Sequence, residues 1–194
     1  PGSAYKPFVY LSAFESGLSP ATQVLDAPIE LSQGSGGGVW RPENYADDYL
    51  GPTTLRRGLE KSRNTMTVRL GQMLGMPRII EVGKRFGIYD AADPNLSMVL
   101  GTVETTVLRL LNAYAMLANG GFKIQPVLVE RIEDRHGNVV YQRDKRDCLT
   151  CQVDEVSWTP ETLTPPALLD MRERIVDARV AYQMVSLLQG VVQR

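Results

Sequence analysis

The chain has 194 residues, of which 43% are hydrophobic and 22% charged, and these proportions are ordinary for a folded domain with one core. Its 21 basic and 22 acidic residues give a formal net charge of −1, so no polybasic surface is expected. This balance argues against nucleic acid or an anionic membrane surface as a direct partner, and no apolar run approaches the roughly 20 residues of a transmembrane helix.

The first predicted element is a helix that begins near Ser3. Pro7 is tolerated in a first helical turn, the apolar run 8–15 continues as a largely buried helix, and Gly17 ends it. A serine at a helix N-terminus lies near free backbone N–H groups and positive dipole potential, which favours an oxyanion forming there. Lys6 follows Ser3 by one turn, so a hydroxyl and an amine share one face.

Ser3 and Lys6 are the residue types of a serine acyl-transfer site. The amine can take the hydroxyl proton while the oxygen attacks a carbonyl carbon. A second pattern, Ser62-Arg63-Asn64, would add a hydroxyl that relays the proton and an amide that holds the substrate. The alternative is that Ser3 only caps the helix and that Lys6 is a solvated first-turn residue. Both patterns are short enough to arise by chance, so their context decides between these interpretations.

Residues 21–52 are punctuated by Gly, Pro and Ser and are predicted to form a long irregular connection. Its Gly-rich run 33–38 lacks the Gly-Lys-Ser/Thr ending and the preceding strand of a phosphate-binding loop, so it is interpreted as a surface loop.

Five further helices are predicted from apolar periodicity and from capping and breaking residues; they cover 53–62, 64–74, a segment around 79–86, 105–119 and 177–193. Thr53 or Thr54 is predicted to cap the first of these. The segment 105–119 is apolar nearly all round, which predicts a helix buried beneath the site. In the last helix, five residues are predicted to face inward: Val180, Ala181, Met184, Leu188 and Val191.

The periodicity changes from helical to alternating after Gly121. Segments 127–133 and 139–142 flank a His-Gly-Asn turn and predict a β-hairpin. His136, the only histidine, lies at the tip of this turn and is expected to be exposed and far from Ser3. A Ser-His-Asp triad is therefore excluded, and a lysine is the remaining base.

Cys148 and Cys151 form a Cys-x-x-Cys pattern. A zinc ion would need two further ligands, and only His136 is available, so no metal site is predicted. A thioredoxin-like site would need a βαβ context, which is missing. A local disulfide in an oxidising compartment and two free thiols both remain open. The surrounding segment 144–166 is polar and contains prolines, and it is interpreted as a surface insertion.

The order and spacing of three stretches resemble class A penicillin-binding proteins. Residues 40–64, from Trp40-Arg41-Pro42 to Ser62-Arg63-Asn64, are similar to the segment that leads into Ser-x-Asn in that family. Residues 100–121 are similar to its helix bounded by glycine and asparagine, and Ser3-Ala4-Tyr5-Lys6 matches its Ser-x-x-Lys motif. The resemblance covers residues 1–143 well and 167–194 loosely, and it implies the transpeptidase domain of a bifunctional peptidoglycan synthase.

The resemblance implies an α+β fold of the serine β-lactamase/transpeptidase type. In this chain that means mainly the helical lobe plus a β-hairpin, with most of the antiparallel sheet missing. Residues 1–194 would be one partial transpeptidase domain, with the hairpin and surface insertion at 122–166.

The resemblance also implies a reaction. Ser3 would attack the penultimate D-alanine carbonyl of a peptidoglycan stem peptide, with Lys6 as the base. Ser62 would pass the proton to the leaving D-alanine, and Asn64 would hydrogen-bond the acyl donor. β-Lactam antibiotics would acylate Ser3 as mimics of that dipeptide. Neither a cofactor nor a metal is implied.

The family's third motif, Lys-Thr-Gly, does not occur in this sequence. In the family, a glycosyltransferase domain and a membrane anchor precede the segment that matches Pro1. We therefore expect a fragment that is inactive alone, leaves apolar helix faces open, and is marginally stable, self-associating or dependent on a complementary chain. The full-length protein is expected in the cell envelope, anchored at the periplasmic face of the inner membrane.

Two other functions remain open from the sequence. A D,D-carboxypeptidase or β-lactamase would share the first steps and then deacylate with water, but no deacylating carboxylate is recognisable. A non-enzymatic module would use the same helices only as a scaffold or a partner-binding surface.

Overall fold

The computed structural model describes residues 1–32, 38–46, 48–146, 168 and 170–193. The chain forms two compact units, Pro1–Ile124 with Arg174–Arg194, and Gln125–Glu173. Cys148 and Cys151 lie outside the described residues, as do most of the predicted insertion and all but the last residue of the Gly-rich run 33–38.

Helices dominate the first unit. Its α-helices are α1 Lys6–Glu15, α2 Leu55–Glu60, α3 Asn64–Leu74, α4 Met76–Arg85, α5 Val107–Ala118 and α6 Ala178–Gln193, and its 3-10 helices are Gly2–Tyr5 and Leu96–Leu100. Its strands are β1 Gln23–Asp26, β2 Leu31–Ser32, β3 Val39–Trp40 and β4 Gly51–Thr54. None of the described helices has the length and apolar composition needed to cross a membrane.

Helix α1 is the centre of the core. Every residue from Lys6 to Phe14 is buried, and the helix packs against α3, α4 and α6. Phe8 makes edge-to-face contacts with the rings of Phe86 and Tyr114, at 5.4 and 5.5 Å between centroids. A helix that is apolar on all sides needs partners on all sides, and the neighbouring helices supply them. The predicted buried helix after Ser3 is confirmed.

The boundaries of the next helices follow their capping residues. Helix α3 has the predicted bounds 64–74, and α4 lies where the apolar spacing around 79–86 places it. Helix α2, Leu55–Glu60, is shorter than the predicted segment 53–62, because Thr53 and Thr54 belong to β4 and the helix ends at Glu60. Its cap is Thr54, whose hydroxyl oxygen accepts a hydrogen bond from the Arg57 N–H.

The prediction of an irregular connection over 21–52 is wrong for part of its length. Strand β1 pairs with β4 in antiparallel register from Gln23 opposite Thr54 to Asp26 opposite Gly51. Strand β2 pairs with β3, with Leu31 opposite Trp40. Segments of two to four residues are too short to show by themselves the alternation that identifies a strand, and the partner of β1 is distant in sequence.

The prediction that α5 is buried all round is also wrong. Ala113, Met116 and Leu117 face the core, whereas Val107, Leu108 and Leu111 are 86%, 58% and 63% exposed. An apolar composition shows that a helix can be buried, but the packing of its neighbours decides which faces are covered.

The inward face of α6 is shifted from the prediction. Ala181, Met184, Leu187 and Gly190 are buried, so Ala181 and Met184 are placed correctly. Val180 and Leu188 are only partly buried, and Val191 is 47% exposed, so its inward assignment is wrong. The buried residues recur every three residues rather than every 3.6, so the buried stripe winds around the helix, and the contacts of α6 with α1, α2 and α5 decide which of its residues are covered.

The second unit contains the predicted hairpin. Strand β5, Arg131–Glu133, pairs with β6, Val139–Gln142, with an irregularity after Ile132. The Asp134 carboxylate accepts hydrogen bonds from the N–H groups of His136 and Asn138 and closes the turn. His136 is exposed, as predicted.

Candidate active site

Ser3 lies in the short 3-10 helix Gly2–Tyr5, which continues directly into α1. Its side chain is exposed, and within the described part of the chain its hydroxyl has no hydrogen-bond partner. Tyr5, at the other end of this turn, is fully buried and its hydroxyl lies 2.7 Å from that of Tyr89. The Ser3 hydroxyl therefore stands at the surface on a turn that is anchored in the core.

Two further contacts fix the backbone of this turn. The Gly2 N–H donates to the Gly101 carbonyl oxygen at 3.0 Å, and the Tyr114 hydroxyl donates to the Ala4 carbonyl oxygen at 2.8 Å. Gly101 has a φ of +83°, and a Cβ atom there would lie 2.0 Å from the carbonyl oxygen of Gly2. Only glycine allows this approach, so Gly101 sets the position of the backbone that carries Ser3.

We predict that Gly101→Ala lowers the free energy of unfolding by clearly more than the ~1 kcal/mol that a left-handed backbone costs an alanine, because the added methyl group must displace Gly2. Gly120→Ala is the matched control. Gly120 has a φ of +84°, and a Cβ atom there would meet nothing within 4 Å. Urea unfolding of both variants gives the comparison, and equal losses would contradict the steric role of Gly101.

Ser62 occupies a position at which helices usually place glycine. The N–H of Ser62 donates to the Leu59 carbonyl oxygen at 2.9 Å, and that of Arg63 donates to Gly58 at 2.8 Å. These two bonds form a Schellman motif at the end of α2, in which Ser62 has the left-handed φ of +51°. The motif points both the carbonyl oxygen and the hydroxyl of Ser62 towards Lys6.

We predict that Ser62→Gly unfolds with a free energy about 1 kcal/mol higher than Ser62→Ala, because both variants lose the hydroxyl and only alanine bears the cost of the left-handed backbone. Ser186, inside α6, is the matched control, since there alanine should be the more stable substitute by up to about 1 kcal/mol. Chemical denaturation measures both pairs. The same order at Ser62 as at Ser186 would contradict the assigned backbone geometry.

Lys6 is 1% exposed, and its amine donates three hydrogen bonds. The acceptors are the Ser62 carbonyl oxygen at 2.7 Å, Ser62 Oγ at 3.0 Å and Asn64 Oδ1 at 2.5 Å. An ammonium group has three N–H donors and no acceptor, so these bonds use all of them.

Burial and, to a smaller extent, the positive charge of the nearby Arg63 together lower the pKa of Lys6 to about 8. An amine with a pKa of about 8 is neutral in about one molecule in ten at pH 7. The neutral form keeps two N–H donors, so one of the three acceptors is released and a lone pair becomes free.

The depressed pKa of Lys6 predicts a pH dependence of stability. Between pH 8 and 10.5 the unfolded chain holds the Lys6 proton and the folded chain releases it, so the free energy of unfolding rises with pH through this window. The increment is at most about 3 kcal/mol. Lys6→Met removes the charge and retains similar volume, so its curve should lack the rise. Urea unfolding at several pH values measures the difference, and parallel curves for parent and variant would contradict it.

Asn64 begins α3 and is held on both sides. Its Oδ1 accepts from Lys6, and its Nδ2 donates to the Glu43 carbonyl oxygen at 2.7 Å. The backbone N–H groups of Asn64 and Thr65 donate to Asn44 Oδ1, at 2.8 and 3.3 Å, so a side chain from another segment caps the helix.

The Ser-x-x-Lys and Ser-x-Asn patterns therefore meet at one amine, although 56 residues separate Lys6 from Ser62. Sequence reasoning named these residues and missed two that support them, Asp26 and Asn44. Asn44 lies within the stretch that carries the family resemblance, but nothing in the sequence ties Asp26 to the site. In the part of the chain that is described, no cluster of His, Cys, Asp or Glu is arranged to hold a metal ion.

Residues 1–194 match the family model of the penicillin-binding protein transpeptidase domain. The chain belongs to this transpeptidase family. Penicillin-binding protein 1A of Rickettsia bellii is 49% identical to it over 194 residues, which are 100% of this chain and 24% of the relative. The resemblance to the transpeptidase domain of class A penicillin-binding proteins is thus confirmed, and the chain spans about a quarter of the length of the curated relatives it matches.

Solved structures show the same fold. The crystal structure of penicillin-binding protein 1A from Haemophilus influenzae superposes with a TM-score of 0.82 at 30% identity, covering 98% of this chain and 29% of that one. Penicillin-binding protein A from M. tuberculosis, solved as a penicillin G acyl-enzyme complex, gives a TM-score of 0.75 at 20% identity over 100% of this chain and 43% of that one. The predicted α+β transpeptidase-like fold class is confirmed.

Proposed function

We propose that residues 1–194 carry the acyl-transfer site of a D-alanyl-D-alanine transpeptidase that cross-links peptidoglycan. Its four working residues are the nucleophile Ser3, the base Lys6, the proton relay Ser62 and the substrate-binding Asn64. The proposal rests on one observation above all: the buried Lys6 amine, one turn after Ser3, bonds Ser62 Oγ and Asn64 Oδ1 directly.

The first half of the reaction forms an ester. Neutral Lys6 takes the proton of the Ser3 hydroxyl while the Ser3 oxygen attacks the carbonyl carbon of the penultimate D-alanine. The tetrahedral intermediate then collapses, and the bond to the terminal D-alanine nitrogen breaks. The proton passes from Lys6 through Ser62 to that nitrogen, so free D-alanine leaves and the acyl group stays on Ser3.

The second half forms the cross-link. An amine of a neighbouring stem peptide attacks the ester carbonyl, its proton returns by the same route to the Ser3 oxygen, and a new amide bond joins the two peptides. The relay needs a hydroxyl that reaches both Lys6 and solvent. Ser62 fits that role because it is exposed and lies 3.0 Å from the Lys6 amine.

We also propose that β-lactams acylate Ser3 by the same attack on their ring carbonyl. The penicillin G acyl-enzyme complex of the mycobacterial structure supports this for a protein of the same fold. The proposed reaction uses no cofactor. We propose that the full-length protein acts in the cell envelope, at the periplasmic face of the inner membrane, because its proposed substrate is peptidoglycan.

We propose that residues 1–194 form one transpeptidase domain. The hairpin and insertion at 122–166 are a surface addition to it. The compact unit Gln125–Glu173 has nearly the same limits as this addition.

We predict that Ser3→Ala abolishes covalent labelling by penicillin and changes the free energy of unfolding by less than about 0.5 kcal/mol, because an exposed hydroxyl without a hydrogen-bond partner contributes little to packing. Intact-mass measurement of the full-length gene product detects the adduct. Ser19→Ala, at another exposed serine, is the matched control and should retain it.

The same measurement separates the alternatives. A long-lived adduct on the parent that Ser3→Ala lacks supports the transpeptidase. An adduct that water removes quickly would assign a hydrolase, and no adduct on the parent would leave only a scaffold. An adduct on Ser3→Ala that forms at the parental rate would overturn Ser3 as the nucleophile.

A further inference from the structure

A buried carboxylate lies behind the Ser62-Arg63-Asn64 segment. Asp26 ends β1 and has no exposed surface. Its two oxygens accept four hydrogen bonds, from Thr65 Oγ1 at 2.5 Å, Arg63 Nε at 2.7 Å, Asn44 Nδ2 at 2.8 Å and the Leu50 N–H at 3.0 Å. Burial acts to raise the pKa of Asp26, but these hydrogen bonds outweigh it and hold the pKa below its usual range.

Arg63 is the residue through which Asp26 reaches the site. It stands between Ser62 and Asn64 in the chain, and its side chain is only 7% exposed. Its Nε bonds Asp26, while its two terminal nitrogens bond the Asp48 carboxylate at 2.7 Å and the Asp48 carbonyl oxygen. A planar guanidinium fixed at three atoms by two residues leaves its own backbone little freedom.

Asn44 is the second link. Its Nδ2 donates to Asp26 and to the Asp48 carbonyl oxygen at 3.0 Å, and its Oδ1 accepts the N–H groups that start α3. The amide therefore joins the Asp26 carboxylate to the backbone of Asn64. The middle of the Ser-x-Asn segment, through Arg63, and its Asn64 end, through Asn44, are thus tied to the same buried carboxylate.

We propose that Asp26, assisted by Asp48, is a positioning residue for acyl transfer. Its carboxylate holds Arg63 and Asn44, and these hold the Ser62 and Asn64 groups that bind the Lys6 amine. The inference rests on the proposed function of Ser3 and Lys6.

The network also acts electrostatically. Arg63 is the charged group that lowers the pKa of Lys6, while the other groups around the amine, Ser62 and Asn64, are uncharged. Asp26 and Asp48 are the carboxylates that face Arg63. Removing one of their negative charges leaves the Arg63 charge less compensated, which disfavours protonated Lys6. A purely structural role for Asp26 would not produce this effect.

The test measures the rate constant for penicillin acylation of Ser3 against pH in the full-length gene product. Asp26→Asn preserves shape and removes the charge. We expect its rate at high pH to fall about tenfold or more, because the relay groups lose their alignment, and its midpoint to move to lower pH. Asp90→Asn is the matched control, since Asp90 is an 86% exposed partner of Arg109 and should give the parental profile.

Asp48→Asn keeps the inference testable if Asp26→Asn does not fold. The Asp48 side chain is 55% exposed, so we expect this variant to fold and to show the same shift of the midpoint to lower pH. If Asp26→Asn keeps the parental acylation rate and midpoint, the positioning role is overturned while acylation of Ser3 stands. If Asp26→Asn is unfolded, the same result in Asp48→Asn overturns it. Absence of acylation in the parent and in Asp90→Asn overturns the proposed function itself.

Discussion

The burial of the Lys6 amine is the constraint on which the site depends. A charged group removed from water is costly unless hydrogen bonds replace its hydration, and Lys6 obtains three of them from a single short segment. That segment must therefore lie against α1 for the core to form without an unpaired ammonium group. Folding of the core and assembly of the site are in this respect one event.

The two turns that flank the amine are both held by backbone conformations that suit glycine. Gly101 allows the chain to approach the turn of Ser3, and Ser62 adopts a left-handed conformation at the end of α2. A serine in that conformation sacrifices some stability to place a hydroxyl beside Lys6. The Ser62-Arg63-Asn64 segment is also held by the hydrogen bonds of Asp26 and Asn44, on the side away from Lys6.

Much of this arrangement could be predicted from the sequence, for reasons specific to each element. The bounds of α3, the buried helix α1 and the hairpin follow from local signals such as capping, periodicity and turn residues. The two strand pairs could not be predicted because their strands are too short to show alternation. The exposed face of α5 and the outward Val191 could not be predicted because neighbours distant in sequence decide them. The same holds for Asp26, whose partners lie between 18 and 39 residues away. The motifs predicted the proposed site residues, whereas the hydrogen bonds that hold these residues in place depend on tertiary contacts.

The Asn64 amide carries a consequence for recognition. Its Oδ1 accepts one hydrogen bond, from Lys6, and its Nδ2 donates one, to the Glu43 carbonyl oxygen. An amide group has two acceptor lone pairs and two N–H donors, so these bonds fix the amide plane while each half keeps one further hydrogen-bonding position. A ligand with matching groups can add hydrogen bonds there without breaking the existing ones, whereas a ligand without them covers polar atoms that stay unpaired. The orientation set by Lys6 and Glu43 therefore decides which ligand groups fit against Asn64.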